Sequence, residues 1–177
     1  MGPNSFLDFA EKWTVGIGEL SVTNDLGVML ATYSLGSCLG VTAYDPVAKA
    51  GGLLRAVLPQ AALVPDKAHE RPALFVDTGL PALLRALAPY GVEHARLHVC
   101  LAGGAQCMDP GGIFDLGQRN VAMARRVLEE AGVRLRAMRV GGPVSRSLFL
   151  DLATGAVRLR VPGQPEETTL CPGWTNS

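Results

Sequence analysis

The sequence lacks the features that mark a chain for export, for a membrane or for a metal. No apolar run approaches the roughly 18–20 residues that a membrane span needs. The stretch from Met1 to Lys12 has neither the basic start nor the apolar core of a signal peptide. Cysteines number 4 in 177 residues, and a chain of this length buries a core without disulfide staples. The closest pair, Cys100 and Cys107, is spaced more widely than the ligands of most zinc sites. These absences lead to the expectation of a cytoplasmic location, reduced thiols, and neither metal nor other cofactor. Charge of one sign is not in excess either: 16 Lys+Arg face 16 Asp+Glu. No long-range field then draws nucleic acid or an anionic bilayer, so nucleic acid is not expected as a partner, nor is membrane insertion. Internal repeats and low-complexity tracts are missing.

What is present is the composition of a compact globule, 48% hydrophobic and 18% charged. Strands are expected at Trp13 to Ser21, Gly27 to Thr32, Leu39 to Tyr44 and Gly52 to Leu58, with turns at Asn24-Asp25 and Asp45-Pro46. Gln60 to Pro72 reads as a loop. A helix capped by Asp77 or Thr78 runs to about Tyr90, with Leu80, Leu83, Leu84 and Leu87 on one face and Gly91 as its stop. Arg96 to Ala102 reads as a strand. Asp115 caps a second helix, Gln118 to Ala131, closed by Gly132. Val133 to Val140 is a further strand, and Leu148 to Leu150 pairs with Ala156 to Val161 around Thr154-Gly155. The fold class is α+β, with mixed β-sheets forming a sandwich-like core and flanking helices. Residues 1–12 read as an N-terminal extension, 13–161 as the domain, and 162–177 as a flexible tail.

Cys38 stands in Ser34-Leu35-Gly36-Ser37-Cys38-Leu39-Gly40, at a small-residue turn before an apolar strand. Such a turn can present a thiol, and its backbone amides can stabilise a thiolate or an oxyanion. A free cysteine can equally be a packing residue. The wider pattern distinguishes the two. Thr32 to Cys38, Tyr44-Asp45-Pro46, Gly51-Gly52, Leu58-Pro59, Val76-Asp77-Thr78 and Ala102-Gly103-Gly104-Ala105 recur in order. Gly117-Gln118-Arg119-Asn120-Val121, Val140-Gly141-Gly142, Ser145-Arg146-Ser147 and Thr154-Gly155 follow. The ordered set, over roughly residues 14 to 160, resembles the CheD family.

The resemblance implies a fold similar to that of the cysteine-dependent deamidase toxins. It implies hydrolysis of glutamine side-chain amides on methyl-accepting chemotaxis receptors, giving glutamate and ammonia. A CheC-type phosphatase is a second partner known in the family. The family's nucleophile maps onto Cys38, its histidine-supporting threonine onto Thr32, and its surface around the thiol onto Gly36, Ser37, Gly103 and Gly104. A primary amide is a poor electrophile, so a thiolate must attack it and an acid must protonate the departing ammonia. Histidine suits both tasks. The family's histidine lies after the Gly-Gly pair and four residues before the proline of Leu-Pro; here Arg55 holds that place. A guanidinium stays protonated and cannot serve as a base.

Three readings follow. Cys38 and Thr32 favour a receptor glutamine deamidase, whereas Arg55 favours a CheD-like binding protein that has lost turnover. A cysteine hydrolase acting on another amide is the third. His94 and His98 read as surface or core histidines, while His69 could fold back over Cys38 from its loop. Gly103-Gly104 and Gly111-Gly112 lack the Gly-Lys-Ser/Thr of a phosphate loop. Arg119-Asn120 could bind an anion but reads first as a structural hydrogen-bond cluster, Arg125 and Arg126 as a solvated helix face, Cys100 as core, Cys107 as a loop thiol and Cys171 as part of the tail.

Overall fold

The structure is a computed structural model that describes residues 10–106 and 115–174. In chain order come β1 (Glu11–Thr14), β2 (Glu19–Thr23), β3 (Val28–Leu35), β4 (Leu39–Asp45), β5 (Ala50–Ala56), α1 (Pro65–Glu70) and α2 (Val76–Leu87). They are followed by β6 (His98–Gly103), α3 (Leu116–Ala131), β7 (Arg134–Val140), β8 (Arg146–Asp151), β9 (Val157–Arg160) and β10 (Thr168–Cys171). One five-stranded sheet has the order β1-β3-β8-β9-β10, the other β2-β5-β4-β6-β7. Each is mixed: β1 runs parallel to β3 and β6 parallel to β7, and the remaining pairs are antiparallel. The α+β class with a two-sheet core and flanking helices is therefore what the chain adopts.

Side-chain alternation builds the layers. On β4 and β5, Val41, Ala43, Leu54 and Ala56 face α2 and α3, which contribute Leu80, Leu83, Leu87, Ala124 and Leu128. Tyr44 and Leu53 face the other way, against Leu30, Leu148 and Leu150 of the first sheet. Both faces of the second sheet are thus covered. That is why β4 and β5 read as continuous apolar runs rather than alternating ones. A smaller cluster of Met29, Ala31 and Phe149 lies on the other face of β3 and β8.

Several expectations are corrected. The single strand at Trp13 to Ser21 is two strands in different sheets, parted at Gly18, which takes φ +67°. The loop at Gln60 to Pro72 contains α1 and a 3-10 turn at Ala61–Leu63, with another turn at Pro72–Leu74. Its prolines start helical turns, because Pro65 and Pro72 occupy first positions where no amide hydrogen is needed. Neither Asp77 nor Thr78 caps α2. The helix opens at Val76, whose amide donates to Leu58 O at 2.8 Å, while the Asp77 amide donates to Pro59 O at 3.2 Å. Asp77 Oδ1 instead accepts from the Ala61 amide at 2.9 Å, and Thr78 Oγ1 donates to Pro72 O at 2.6 Å. Asp115 does stand at the N-cap of α3, but with φ 52° and with its side chain accepting from Gln106 Nε2 at 3.2 Å rather than capping. Gly91 and Gly132 end their helical segments in left-handed conformations, as expected. Within the stretch expected to be a flexible tail, β10 pairs with β9.

Candidate functional site

The site lies at the pole where β3, β5, β6 and β7 end and β4 and β8 begin. Its peculiarity starts in β3. Between the pairs Thr32↔Leu148 and Leu35↔Arg146, β3 advances one residue more than β8. This bulge falls at Tyr33 and Ser34, and Ser34 takes φ +55°. Bulges take backbone groups out of the ladder and re-aim them. Here they free the Tyr33 and Ser34 carbonyls.

Arg55, near the end of β5, collects them. Its Nη1 donates to Tyr33 O and, at 3.3 Å, to Thr32 Oγ1; its Nη2 donates to Ser34 O at 3.3 Å. Thr32 is fully buried and donates its hydroxyl hydrogen to Val15 O at 2.8 Å. Thr32 and Arg55 are therefore in contact. The guanidinium is used as a clamp on the bulge, and its Nε is buried without a partner among the described residues.

Cys38 follows the turn out of β3. It is half-buried and free, and its side chain packs on the inter-sheet core. Arg55 is paired with Gly40, two residues beyond Cys38, and reaches across the same gap between the sheets. Three successive carbonyls of the turn are tied back into the protein. Gly36 O accepts from the Ala105 amide at 2.9 Å, Ser37 O from Asn120 Nδ2 at 3.0 Å, and Cys38 O from the Gly104 amide at 2.9 Å. Gly103 takes φ +96° and Gly104 φ +55° to allow this approach. Arg146, only 7% exposed, supports the turn from behind by donating to Gly103 O at 3.1 Å and Gly141 O at 2.6 Å. Of the residues singled out from sequence, Cys38, Thr32, Arg55, Gly36, Ser37, Gly103 and Gly104 all meet at this pole.

The three histidines are placed elsewhere or apart. His98 starts β6 and Gly103 ends it, which sets them about 16 Å apart along the strand. Its ring stacks on Trp174 with centroids 4.5 Å apart. Burial, with Arg136 and Arg134 beside it, holds it below its usual pKa. His94 Nδ1 lies 3.4 Å from Ala131 O, at the far end of α3. His69 is exposed on α1, which packs on the turns at Ala61–Leu63 and Pro72–Leu74. Cys100 is a core residue: burial first, and then Cys171 beside it, push its thiol up to about 12. Cys171 is buried in β10 rather than lying in a loose tail. Cys107 and Gly111-Gly112 fall outside the described residues. Among the described residues no group of His, Cys, Asp or Glu could hold a metal, and no helix is long and apolar enough to cross a membrane.

Sequence reading did not find two parts of this pole, the bulge and the Arg146 support. The bulge has no signature beyond Thr-Tyr-Ser, none of which is glycine. Arg146 resembles a surface arginine until its two carbonyl partners are seen.

Fold and site together define an α+β sandwich that presents one half-buried thiol on a glycine-walled turn, beside a buried threonine and a clamped arginine. The chain belongs to the CheD family. A family model described as CheD chemotactic sensory transduction matches residues 57–161, more than half of the chain. The protein is 39% identical over 157 residues to a probable chemoreceptor glutamine deamidase CheD of Solibacter usitatus, covering 89% of this chain and 93% of that one. It is 45% identical to a protein of the same description from Pyrococcus horikoshii, covering 82% and 90%. With a probable chemoreceptor glutamine deamidase CheD 2 of Anaeromyxobacter dehalogenans it shares 43% identity, over 83% and 92%. A crystal structure of a Neisseria meningitidis protein of family model DUF152 aligns at TM-score 0.40 and 15% identity, over 70% of this chain and 52% of that one. That likeness is too distant to bear on function.

Proposed function

We propose that the protein acts on chemoreceptors from the cytoplasm as a glutamine deamidase, with Cys38 as the nucleophile. Its half-exposed position on a turn pinned by three carbonyl bonds supports this most directly. The thiolate would attack the side-chain amide carbon, ammonia would leave with a proton, and water would hydrolyse the thioester to glutamate. Thr32 acts through Arg55, because its hydroxyl meets that guanidinium at 3.3 Å. Arg55 keeps the bulge and the thiol in register but moves no proton. Without a positioned base the rate falls by roughly 10²–10⁴-fold.

A second reading is favoured by that same arginine. Its guanidinium is taken up by Tyr33 O, Ser34 O and Thr32 Oγ1. A site arranged so is suited to holding a receptor helix or a CheC-type phosphatase without turnover. Ammonia release and mass spectrometry on glutamine-bearing receptor fragments separate the two. The deamidase reading expects slow conversion that Cys38→Ala abolishes and Arg55→His accelerates by roughly 10²–10⁴-fold. Equal background conversion by wild type, Cys38→Ala and Arg55→His removes it. The binding reading then requires that the wild-type protein retain those fragments or the phosphatase.

A further inference from the structure

We propose that Asn120 is a positioning residue for Cys38, holding the peptide before the thiol and the end of the Arg55 strand with a single side-chain amide. The proposal rests on Cys38 being the reactive group of the site, and not on deamidation being its reaction.

Asn120 is in the second turn of α3 and is fully buried, while its neighbour Arg119 is exposed. A buried amide must find partners, and these two are informative. Nδ2 donates one hydrogen to Ser37 O at 3.0 Å and the other to Val57 O at 2.9 Å. The β4–β5 ladder ends at the pair Leu39↔Ala56. Val57 directly follows Ala56 and Ser37 lies two residues before Leu39, so the Asn120 amide extends the link where the strands part.

A peptide is planar, so fixing the Ser37 carbonyl also fixes the direction of the Cys38 N–H, which points the opposite way. The Ser37 and Cys38 amides have no acceptor among the described residues. With the Gly36, Ser37 and Cys38 carbonyls all held inward, these amides are left to face what approaches the thiol. The helix that carries Asn120 is itself fixed against this turn. A Cβ on Gly117 would lie 2.4 Å from Gly104 O, and the Gly104 amide is the donor to Cys38 O.

The third polar function of the side chain argues against a purely stabilising role. Asn120 Oδ1 is buried without a partner among the described residues. An apolar side chain of similar size would fill this place without an orphaned acceptor. Both useful bonds of Asn120 go to the two segments that bear Cys38 and Arg55.

The test follows alkylation of Cys38 by iodoacetamide, read on its own peptide by mass spectrometry, across pH and beside thermal unfolding. Asn120→Ala and Asn120→Asp are expected to change the Cys38 rate about tenfold or more and to move its pH profile, since small misplacements at a reacting centre have effects of that size. Arg119→Ala, on the exposed side of the same turn, should keep the wild-type rate and profile. A lowered melting temperature with an unchanged rate and profile would make Asn120 structural only and overturn the proposal. Should both Asn120 variants fail to fold, the wild type suffices: alkylating Cys38 must shift the Asn120 side-chain amide resonances, and unshifted resonances overturn the proposal. A wild-type Cys38 that reacts only on unfolding overturns the functional reading, and this proposal with it. Failure to deamidate receptors leaves these readouts standing.

Discussion

At Gly103 the backbone takes φ +96°, and a Cβ there would lie 2.3 Å from the carbonyl oxygen of Cys38. No flexible side chain is available to give way, since the obstacle is the backbone of the reactive turn. Gly103→Ala should therefore lower stability by roughly 2–4 kcal/mol, from a strained dihedral and a displaced turn together. Urea unfolding midpoints measure it, and Cys38 alkylation should change in the same variant. Gly103 and Gly104 were placed beside the thiol only by family resemblance, and the close backbone approach that requires glycine there shows only in the fold. Cys38, Thr32 and Arg55 were legible by family resemblance. What Arg55 does instead of histidine was not. That depends on two carbonyls freed by a bulge in another strand, and a side-chain sequence carries no direct record of where carbonyls point.

Among the elements, the turn from β4 to β5 is built around a buried carboxylate. Asp45 ends β4 with its side chain fully buried, accepting from the Val47, Ala48 and Glu93 amides at 2.9, 3.1 and 3.1 Å. Arg96 pairs with it at 2.9 Å, joining this turn to the 3-10 turn His94–Arg96 that leads into β6. Burial alone would raise the Asp45 pKa, but the bonds from Arg96 and the three amides outweigh it and hold the carboxyl below its ordinary 3.8. The folded state then binds fewer protons there than the unfolded state. The contribution is complete above the ordinary value and is lost as pH falls through the lower folded one. Asp45→Asn should be less stable than wild type at neutral pH, and the gap should narrow below about pH 4. Unfolding midpoints across that range check it; a gap independent of pH would mean the charge is not what Asp45 contributes. Asp45-Pro46 was readable as a turn. The Arg96 pairing was not, because the partners are far apart in sequence and meet only when β4 and β6 are neighbours.

For the whole molecule the open question is where the domain ends. Hydrophobic alternation showed that strands exist but not which sheet each joins. Trp13 to Ser21 accordingly read as one strand although its halves serve opposite layers. The same limit hid β10, because Thr168–Cys171 is short, sits among prolines and glycines, and acquires its partner only from β9. Yet Cys171 is 2% exposed within the inter-sheet core, and Trp174 stacks on His98 and, at 5.9 Å, on Tyr44. The Arg136 guanidinium lies 4.7 Å from the same indole ring, and the Trp174 amide donates to Thr154 O at 2.7 Å. A variant ending at Val161 should therefore lose roughly 3–5 kcal/mol from the burial of Leu170, Cys171 and the indole. It should also self-associate, since β9 becomes an unpaired edge. The lost burial lies at the pole around His98 and Tyr44, which β6 separates from Cys38 by most of its length, whereas the exposed β9 edge runs on to Arg160, opposite Ser147. Cys38 in the shortened protein should alkylate at the wild-type rate wherever the protein remains folded, because Gly104, Ala105, Asn120 and Arg146, which hold its turn, all precede Val161. Chemical unfolding, light scattering and the alkylation rate give three independent readings. A stability equal to wild type would mean that the segment beyond Val161 is an appendage, whereas a changed Cys38 rate would mean that the segment bears on the site, through β6 or through Arg146, beside which Gln164 and Thr168 lie.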